Sequence, residues 1–277
     1  MDNFCIVVNR LKDVDLKVTD YITRYLESKG KSCVVAKELP EDQDSIRKHR
    51  SVIPEPCECV IVLGGDGTVL QAAGSVGERN IPLIGVNLGT VGYLAEVERA
   101  GIDAALERLI SGDYEIEERM MLEGRFGDKK DCALNDIVIT RNNTAAINYN
   151  IYVNDLFLYS YHADGIILST PTGSTGYNMS AGGPIVEPSG SMILITPVCP
   201  HTLNSRSLVL SPQSKITVEI AKGRDNMPQT ALASFDGNIM PVMNSGDKIY
   251  IERSNMTTRI IRLNRVSFLE NIGKKLE

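Results

Sequence analysis

The sequence predicts an α/β domain with a Rossmann-like parallel sheet, followed by an antiparallel β domain. Three observations carry this reading. Over the first hundred residues, short apolar runs alternate with stretches of helical periodicity, the βαβ rhythm of a parallel sheet with helices on its faces. From about residue 114 nearly every apolar stretch is short and strand-like, which points to antiparallel pairing. Between strand and helix of the first region lies a glycine-rich turn, Gly64-Gly65-Asp66-Gly67-Thr68, directly after the apolar run Cys59-Val60-Ile61-Val62-Leu63. Parallel sheets bind their ligands at such strand ends.

Each element follows from local pattern. Phe4-Cys5-Ile6-Val7-Val8 is a strand; Leu11, Val14, Val18, Ile22 and Leu26 then recur at helical spacing, and Gly30 supplies a stop. Ser32-Cys33-Val34-Val35-Ala36 is the next strand, and the charged stretch through Arg50 fits either a helix or a loop. Two further strands, the run ending at Leu63 and residues 81–86, flank a helix around Val69-Leu70-Gln71-Ala72-Ala73, and residues 102–110 form another helix. In the second region the strands include residues 136–140, 149–153, 156–159, 166–168, 192–195, 215–220, 248–251 and 258–261, with Asn154-Asp155 as a hairpin signal. The tail, residues 267–275, reads as a helix that returns to the first domain. The division is therefore 1–112 with 264–277 packed back on it, and 113–263.

Composition narrows the class. The 277 residues are 43% hydrophobic and 23% charged, as in ordinary globular proteins. No apolar run approaches the roughly 20 residues needed to span a bilayer, and the start Met1-Asp2-Asn3-Phe4 lacks the pattern of a signal peptide. A cytoplasmic protein without a membrane partner is expected. A net charge of −6 argues against nucleic acid as a partner. The six cysteines show no redox or zinc spacing and read as reduced thiols.

Two segments carry chemistry. In the glycine-rich turn, the bare N–H groups of Gly64, Gly65, Gly67 and Thr68 suit phosphate, and the following helix aims its positive dipole end at the same place. Asp66 repels phosphate, so it needs a task such as accepting a proton or holding a cation; Asp-Gly is also plain turn chemistry. The second segment, Ser169-Thr170-Pro171-Thr172-Gly173-Ser174-Thr175-Gly176, mixes hydroxyls with glycine and leads to Tyr177, whose ring can stack on a base, and Ser180. It can equally be a polar loop between strands. Asn135-Asp136 suits a ribose diol or a strand-edge cap, and Asp236-Gly237 a turn or a functional site.

Together these segments resemble the NAD kinase family. The resemblance runs over Gly64-Gly65-Asp66-Gly67-Thr68, Asn87-Leu88-Gly89-Thr90-Val91-Gly92-Tyr93-Leu94, Ala133-Leu134-Asn135-Asp136, residues 164–180 and Pro200-His201-Thr202-Leu203. Gly-Gly-Asp-Gly is shared with phosphofructokinases and with diacylglycerol and sphingosine kinases, whereas residues 164–180 are far more specific. The resemblance implies a Rossmann-like domain, a β domain and an active site between them. It implies that Asp66 takes the proton of the adenosine ribose 2′-hydroxyl. It further implies that Asp66, Gly67, Asn135, Asp136, His162, Asp164, Thr175, Gly176, Tyr177, Asn178, Met179, Ser180 and Asn238 contact NAD. Asp136 stands where many members carry Glu, His162 where some carry Arg or Lys, and Asn238 where Gln is common. The resemblance implies ATP or polyphosphate as donor, with a divalent cation, Mg²⁺, expected through the donor phosphates, and a homo-oligomer, dimer or tetramer. Two alternatives are a lipid kinase of the diacylglycerol kinase type and a nucleotide-binding regulator without catalysis. The first lacks a visible basic amphipathic helix; the second has no use for Asp66.

Overall fold

The computed structural model describes residues 1–38, 51–89, 92–202, 205–264 and 272–273. The readings for the charged stretch through Arg50, for Thr90, Val91 and Leu203, and for almost all of the tail fall outside the described residues. The chain divides into two compact units, one holding the described residues up to Arg119 and from Met256 onward, the other Met120–Asn255. Among the described residues no helix is long and apolar enough to cross a membrane.

The first unit is built on four parallel strands, β1 (Asn3–Val8), β2 (Ser32–Val35), β3 (Cys59–Gly64) and β4 (Leu83–Asn87), in the order β2-β1-β3-β4. Phe4 sits opposite Cys59 and Cys33, and Val60 opposite Leu83. Helices α1 (Lys17–Ser28), α2 (Asp66–Val76) and α3 (Ile102–Ser111) complete the unit. Every residue of β3 and β4 is buried, which is why these strands read as unbroken apolar runs and not as alternations.

Helix α1 starts later than the apolar spacing suggests. Val18, Ile22 and Leu26 are buried, but Leu11 and Val14 are exposed in the loop before it. The cause is a turn that out-competes the helix. Asn9 accepts the N–H of Leu11 on its side chain and those of Lys12 and Asp13 on its carbonyl. The buried Asp13 carboxylate then accepts the N–H groups of Val18 and Thr19 and the Thr19 hydroxyl, and Leu16 adopts a left-handed φ of 52°.

The second unit packs two antiparallel sheets. One contains β5 (Glu115–Phe126) from Met120 onward, β6 (Lys129–Ala133), β8 (Ile147–Val153), β9 (Leu156–Ala163), β13 (Ile216–Ile220) and the first half of β15 (Lys248–Arg262). The other contains β7 (Asp136–Arg141), β10 (Gly165–Ser169), β11 (Ile193–Val198), β12 (Leu208–Leu210) and β14 (Thr230–Phe235), in the order β12-β11-β10-β7-β14. Ile137, Ile139 and Phe235 from this sheet share one core with Tyr149, Ile151 and Val218 of the other. Asn154 and Asp155 form the expected hairpin turn, both with positive φ, 51° and 64°. The two strands expected at 248–251 and 258–261 are one strand, β15. Ser254 takes a buried position of that strand and meets Cys132, sulfur to hydroxyl 3.6 Å, so a polar residue fills an inward slot that the sequence marks as a break.

Candidate active site

In the first unit the glycine-rich turn is shorter than the sequence suggests. α2 begins at Asp66 and not near Val69, with the extended Gly65 as its cap. The Thr68 hydroxyl accepts the Gly65 N–H (3.5 Å) while the Thr68 N–H returns to the Gly65 carbonyl (2.9 Å). The Thr68 N–H is thus taken within the turn, and the start of α2 borders an open cleft of about 350 Å³ lined by Asn9, Lys12, Asp66, Gly67, Thr68 and Gly92. Asp66 Oδ2 accepts the Tyr93 N–H (2.7 Å), and Oδ1 accepts those of Leu94 (3.0 Å) and Ala95 (3.3 Å). Each carboxylate oxygen has two acceptor positions, so Oδ2 keeps one for a further proton donor. Gly92 is glycine by necessity: a Cβ there would lie 1.9 Å from Asp66 Oδ1.

In the second unit Asn135, Asp136, Thr175 and Gly176 gather where β7 meets the hydroxyl-rich loop, whereas His162 and Asp164 lie at the other end of these strands, where Gly165 stands opposite Thr140. Asp236 ends β14 in a tight turn with Gly237 (φ 47° and 86°). Its carboxylate accepts the N–H groups of Leu134 (2.7 Å), Asn135 (2.9 Å) and Asp136 (3.2 Å). Thr170 braces the same segment, its hydroxyl donating to the Leu134 carbonyl (2.6 Å) and its N–H to that of Asn135 (2.9 Å). Gly173 lies so close that a Cβ would stand 2.1 Å from the Asn135 carbonyl oxygen. Gly176 faces Asn135 Nδ2 and Asp136 Oδ2 across 3.5 and 4.0 Å, measured from where its Cβ would be. Burial, and then the nearby Asp236 charge, push the Asp136 carboxyl up to about 7. Asn135 Oδ1 is buried and has no hydrogen-bond partner among the described residues, an acceptor a ligand hydroxyl could satisfy.

The loop itself is ordered by Asn178. Its Nδ2 donates to the carbonyls of Ser174 and Pro184, and its Oδ1 accepts the Thr196 hydroxyl. That amide is spent inside the protein, so Asn178 shapes the loop. Thr175 is buried, while Tyr177 on α4 (Tyr177–Ser180) is 43% exposed and Ser180 is exposed. Asp164 is paired with Arg141, Nε to Oδ1 3.0 Å and Nη2 to Oδ2 3.3 Å. His162 bonds Asn148 through Nδ1 (2.8 Å) and meets the His201 ring edge-on. Asn238 donates to the Phe235 carbonyl (3.1 Å). Asp236 as a clamp, Arg141 and Lys12 are residues whose placement sequence reasoning misses. Asp236 shows only as Asp-Gly, and the other two are basic residues among many.

Comparison with known proteins follows the same two units. Residues 4–114 match the ATP-NAD kinase N-terminal domain and residues 134–263 the ATP-NAD kinase C-terminal domain. An NAD kinase of Agathobacter rectalis is 45% identical over 282 residues, covering 100% of this chain and 99% of that protein. One of Lachnospira eligens is 41% identical over 293 residues, covering 100% of both. A yeast NADH kinase crystallised with NADH superimposes with a TM-score of 0.81 at 26% identity, covering 100% of this chain and 87% of the other. An NAD kinase from Archaeoglobus fulgidus in complex with ATP gives 0.76 at 25% identity, covering 98% of each. With the glycine-rich turn, the Asn135-Asp136 segment and the hydroxyl-rich loop all in place, the chain belongs to the NAD kinase family.

Proposed function

We propose that this protein transfers the terminal phosphoryl group of ATP, or of polyphosphate, to the 2′-hydroxyl of the adenosine ribose of NAD, giving NADP. The observation that carries the reading is Asp66: a carboxylate fixed by three backbone N–H groups at the start of a helix, in a cleft lined by amides. Phosphoryl transfer asks a protein for positioning and charge stabilisation more than for covalent chemistry. The residues fit that division. Of the turn Gly64, Gly65, Gly67 and Thr68, Gly67 faces the donor phosphates from the start of α2 with open space beside it, while Gly64, Gly65 and Thr68 shape the turn through their mutual contacts; Asp66 Oδ2 takes the proton of the attacking hydroxyl. In the second unit Asn135 and Asp136 hold ribose hydroxyls. Asp164, kept in place by Arg141, binds the other ribose or the nicotinamide end, with His162 and Asn238 beside the dinucleotide. Thr175, Gly176, Tyr177, Met179 and Ser180 surround the adenine side, and Asn178 keeps that loop in shape. Residues up to about 112 serve the donor and those from about 113 to 263 the dinucleotide.

Among the described residues no three His, Cys, Asp or Glu side chains gather as a metal cage. One carboxylate and a row of amides fit a Mg²⁺ ion that arrives on phosphate oxygens and keeps its waters. Such an ion neutralises charge on the donor phosphates. We also assign a homo-oligomer, supported by the edge strand β9, which exposes Leu156 and Phe157, and a cytoplasmic location, supported by six free cysteines. The lipid kinase and the silent regulator have no observation in their favour. The test is Asp66→Asn, which keeps the size and, with one acceptor oxygen, the N–H contacts of one side only, and which cannot accept the proton. Turnover should fall about 10²–10⁴-fold, the contribution of a general base, with KM for NAD within a few-fold of the parent. Retention of most of the kcat would remove Asp66 from the chemistry.

A further inference from the structure

The segment Asn87-Leu88-Gly89 has no task in the reaction as described, and its geometry leads to Lys12. A Cβ built on Gly89 would stand 3.0 Å from Lys12 Nζ, 3.6 Å from Cε and 3.9 Å from Cδ, so the lysine stem runs along the bare backbone of Gly89. A Cβ on Gly65, the cap of α2, would stand 2.9 Å from the same Nζ. Two glycines from two loops therefore make a cradle for one ammonium group. We propose that Lys12 is the cation that binds the phosphate chain of the phosphoryl donor, seated by Gly65 and Gly89 at the mouth of α2.

Three observations support this. First, Lys12 is the only cationic side chain among the described residues lining the cleft, and Asp66 the only anionic one. A chain of net charge −6 needs a local positive group to draw in a polyanion. Second, the backbone of Lys12 is fixed on both sides. Its N–H bonds the Asn9 carbonyl (2.9 Å), and Asp13 next to it is anchored to the first turn of α1 through Val18 and Thr19. Asn9 also reaches Thr68, Nδ2 to Oγ1 3.5 Å, tying the Lys12 turn to the phosphate turn. Gly89 is held in turn: its N–H donates to Asn87 Oδ1 (2.9 Å), and the Leu88 N–H donates to the Gly64 carbonyl (3.0 Å). Third, Lys12 has no ion pair among the described residues, so nothing must be broken for it to meet phosphate. A lysine ammonium serves such a site as a compact point charge beside oriented amides.

The inference rests on the reading of the cleft as the donor-phosphate site. Its test is calorimetric titration of inorganic tripolyphosphate with Mg²⁺ into the full chain, without NAD, for the parent, Lys12→Ala, Lys12→Arg and Gly89→Ala. Loss of a charged hydrogen-bonding partner should weaken binding by about 10–100-fold in Lys12→Ala, and Lys12→Arg should restore most of it. Gly89→Ala is the discriminating variant. Its methyl displaces only the far end of a flexible side chain, so the melting temperature should stay with the parent while binding weakens several-fold. A merely solvated lysine would be indifferent to Gly89. Failure of the parent to bind tripolyphosphate, or equal binding by parent and Lys12→Ala, overturns the proposal. NADP formation by the parent, assayed separately with ATP and NAD, tests the function itself and can fail or succeed independently.

Discussion

Asp136 illustrates how a single carboxyl can trade stability for binding. Burial and the charge of Asp236 raise it from 3.8 to about 7, so the folded protein favours its protonated form. The stability this group supplies is fully present below pH 4 and is lost as the pH rises through 7. Asp136→Asn mimics the protonated acid without the titration. Without NAD, its melting temperature should exceed the parent's by more at pH 8 than at pH 5, because the parent loses this stability progressively between about pH 4 and 7, and each ~1 kcal/mol is worth ~2–4 °C in a protein of this size. NAD affinity should fall at both values if Asp136 holds a ribose hydroxyl. A melting-temperature difference that is the same at pH 5 and pH 8 would show that the carboxyl ionises freely. Neither the raised acid nor its cause is visible in the sequence, because Asp136 and Asp236 lie a hundred positions apart.

At the scale of elements, what the sequence makes legible is local. Buried strands such as β3 and β10 stand out as apolar runs, and the hairpin at Asn154-Asp155 follows from turn chemistry. What escapes is set by competition or distance. Leu11 and Val14 have helical spacing yet lie in a loop, because Asn9 and Asp13 capture the backbone first. β15 looks like two strands because Ser254 occupies an inward position. The glycine-rich turn and the hydroxyl-rich loop are recognisable from composition, whereas the Arg141–Asp164 pair and the Asp236 clamp need the fold. The hydroxyl-rich loop also has a steric signature. Gly173→Ala would place a methyl 2.1 Å from the Asn135 carbonyl, against backbone that cannot retreat cheaply, and overpacking of this kind costs about 1–3 kcal/mol or more. Gly67→Ala, with open space around its Cβ and no positive φ, serves as the control. Thermal melts should show a drop of several degrees for the first and little change for the second. Equal melts would mean that the loop is not braced on Asn135.

For the whole molecule, an acidic chain has to hold two anionic substrates, and it does so with local devices. In the proposed reading, main-chain N–H groups, a helix start and one lysine serve the donor in the first unit, while fixed carboxyls and amides in the second serve hydroxyls. On that reading the arrangement should select a dinucleotide, because two riboses offer more to hold than one, and lost positioning lowers rate as well as affinity. The central claim is that NAD is the acceptor. Its most direct test is incubation of the full chain with ATP and Mg²⁺ against NAD, AMP or a diacylglycerol, with product from NAD read by an NADP-specific dehydrogenase. The account predicts NADP from NAD, AMP turned over with a kcat/KM at least about tenfold lower, and no product from the lipid. Absence of NADP, or phosphorylation of the diacylglycerol as readily as of NAD, would contradict it.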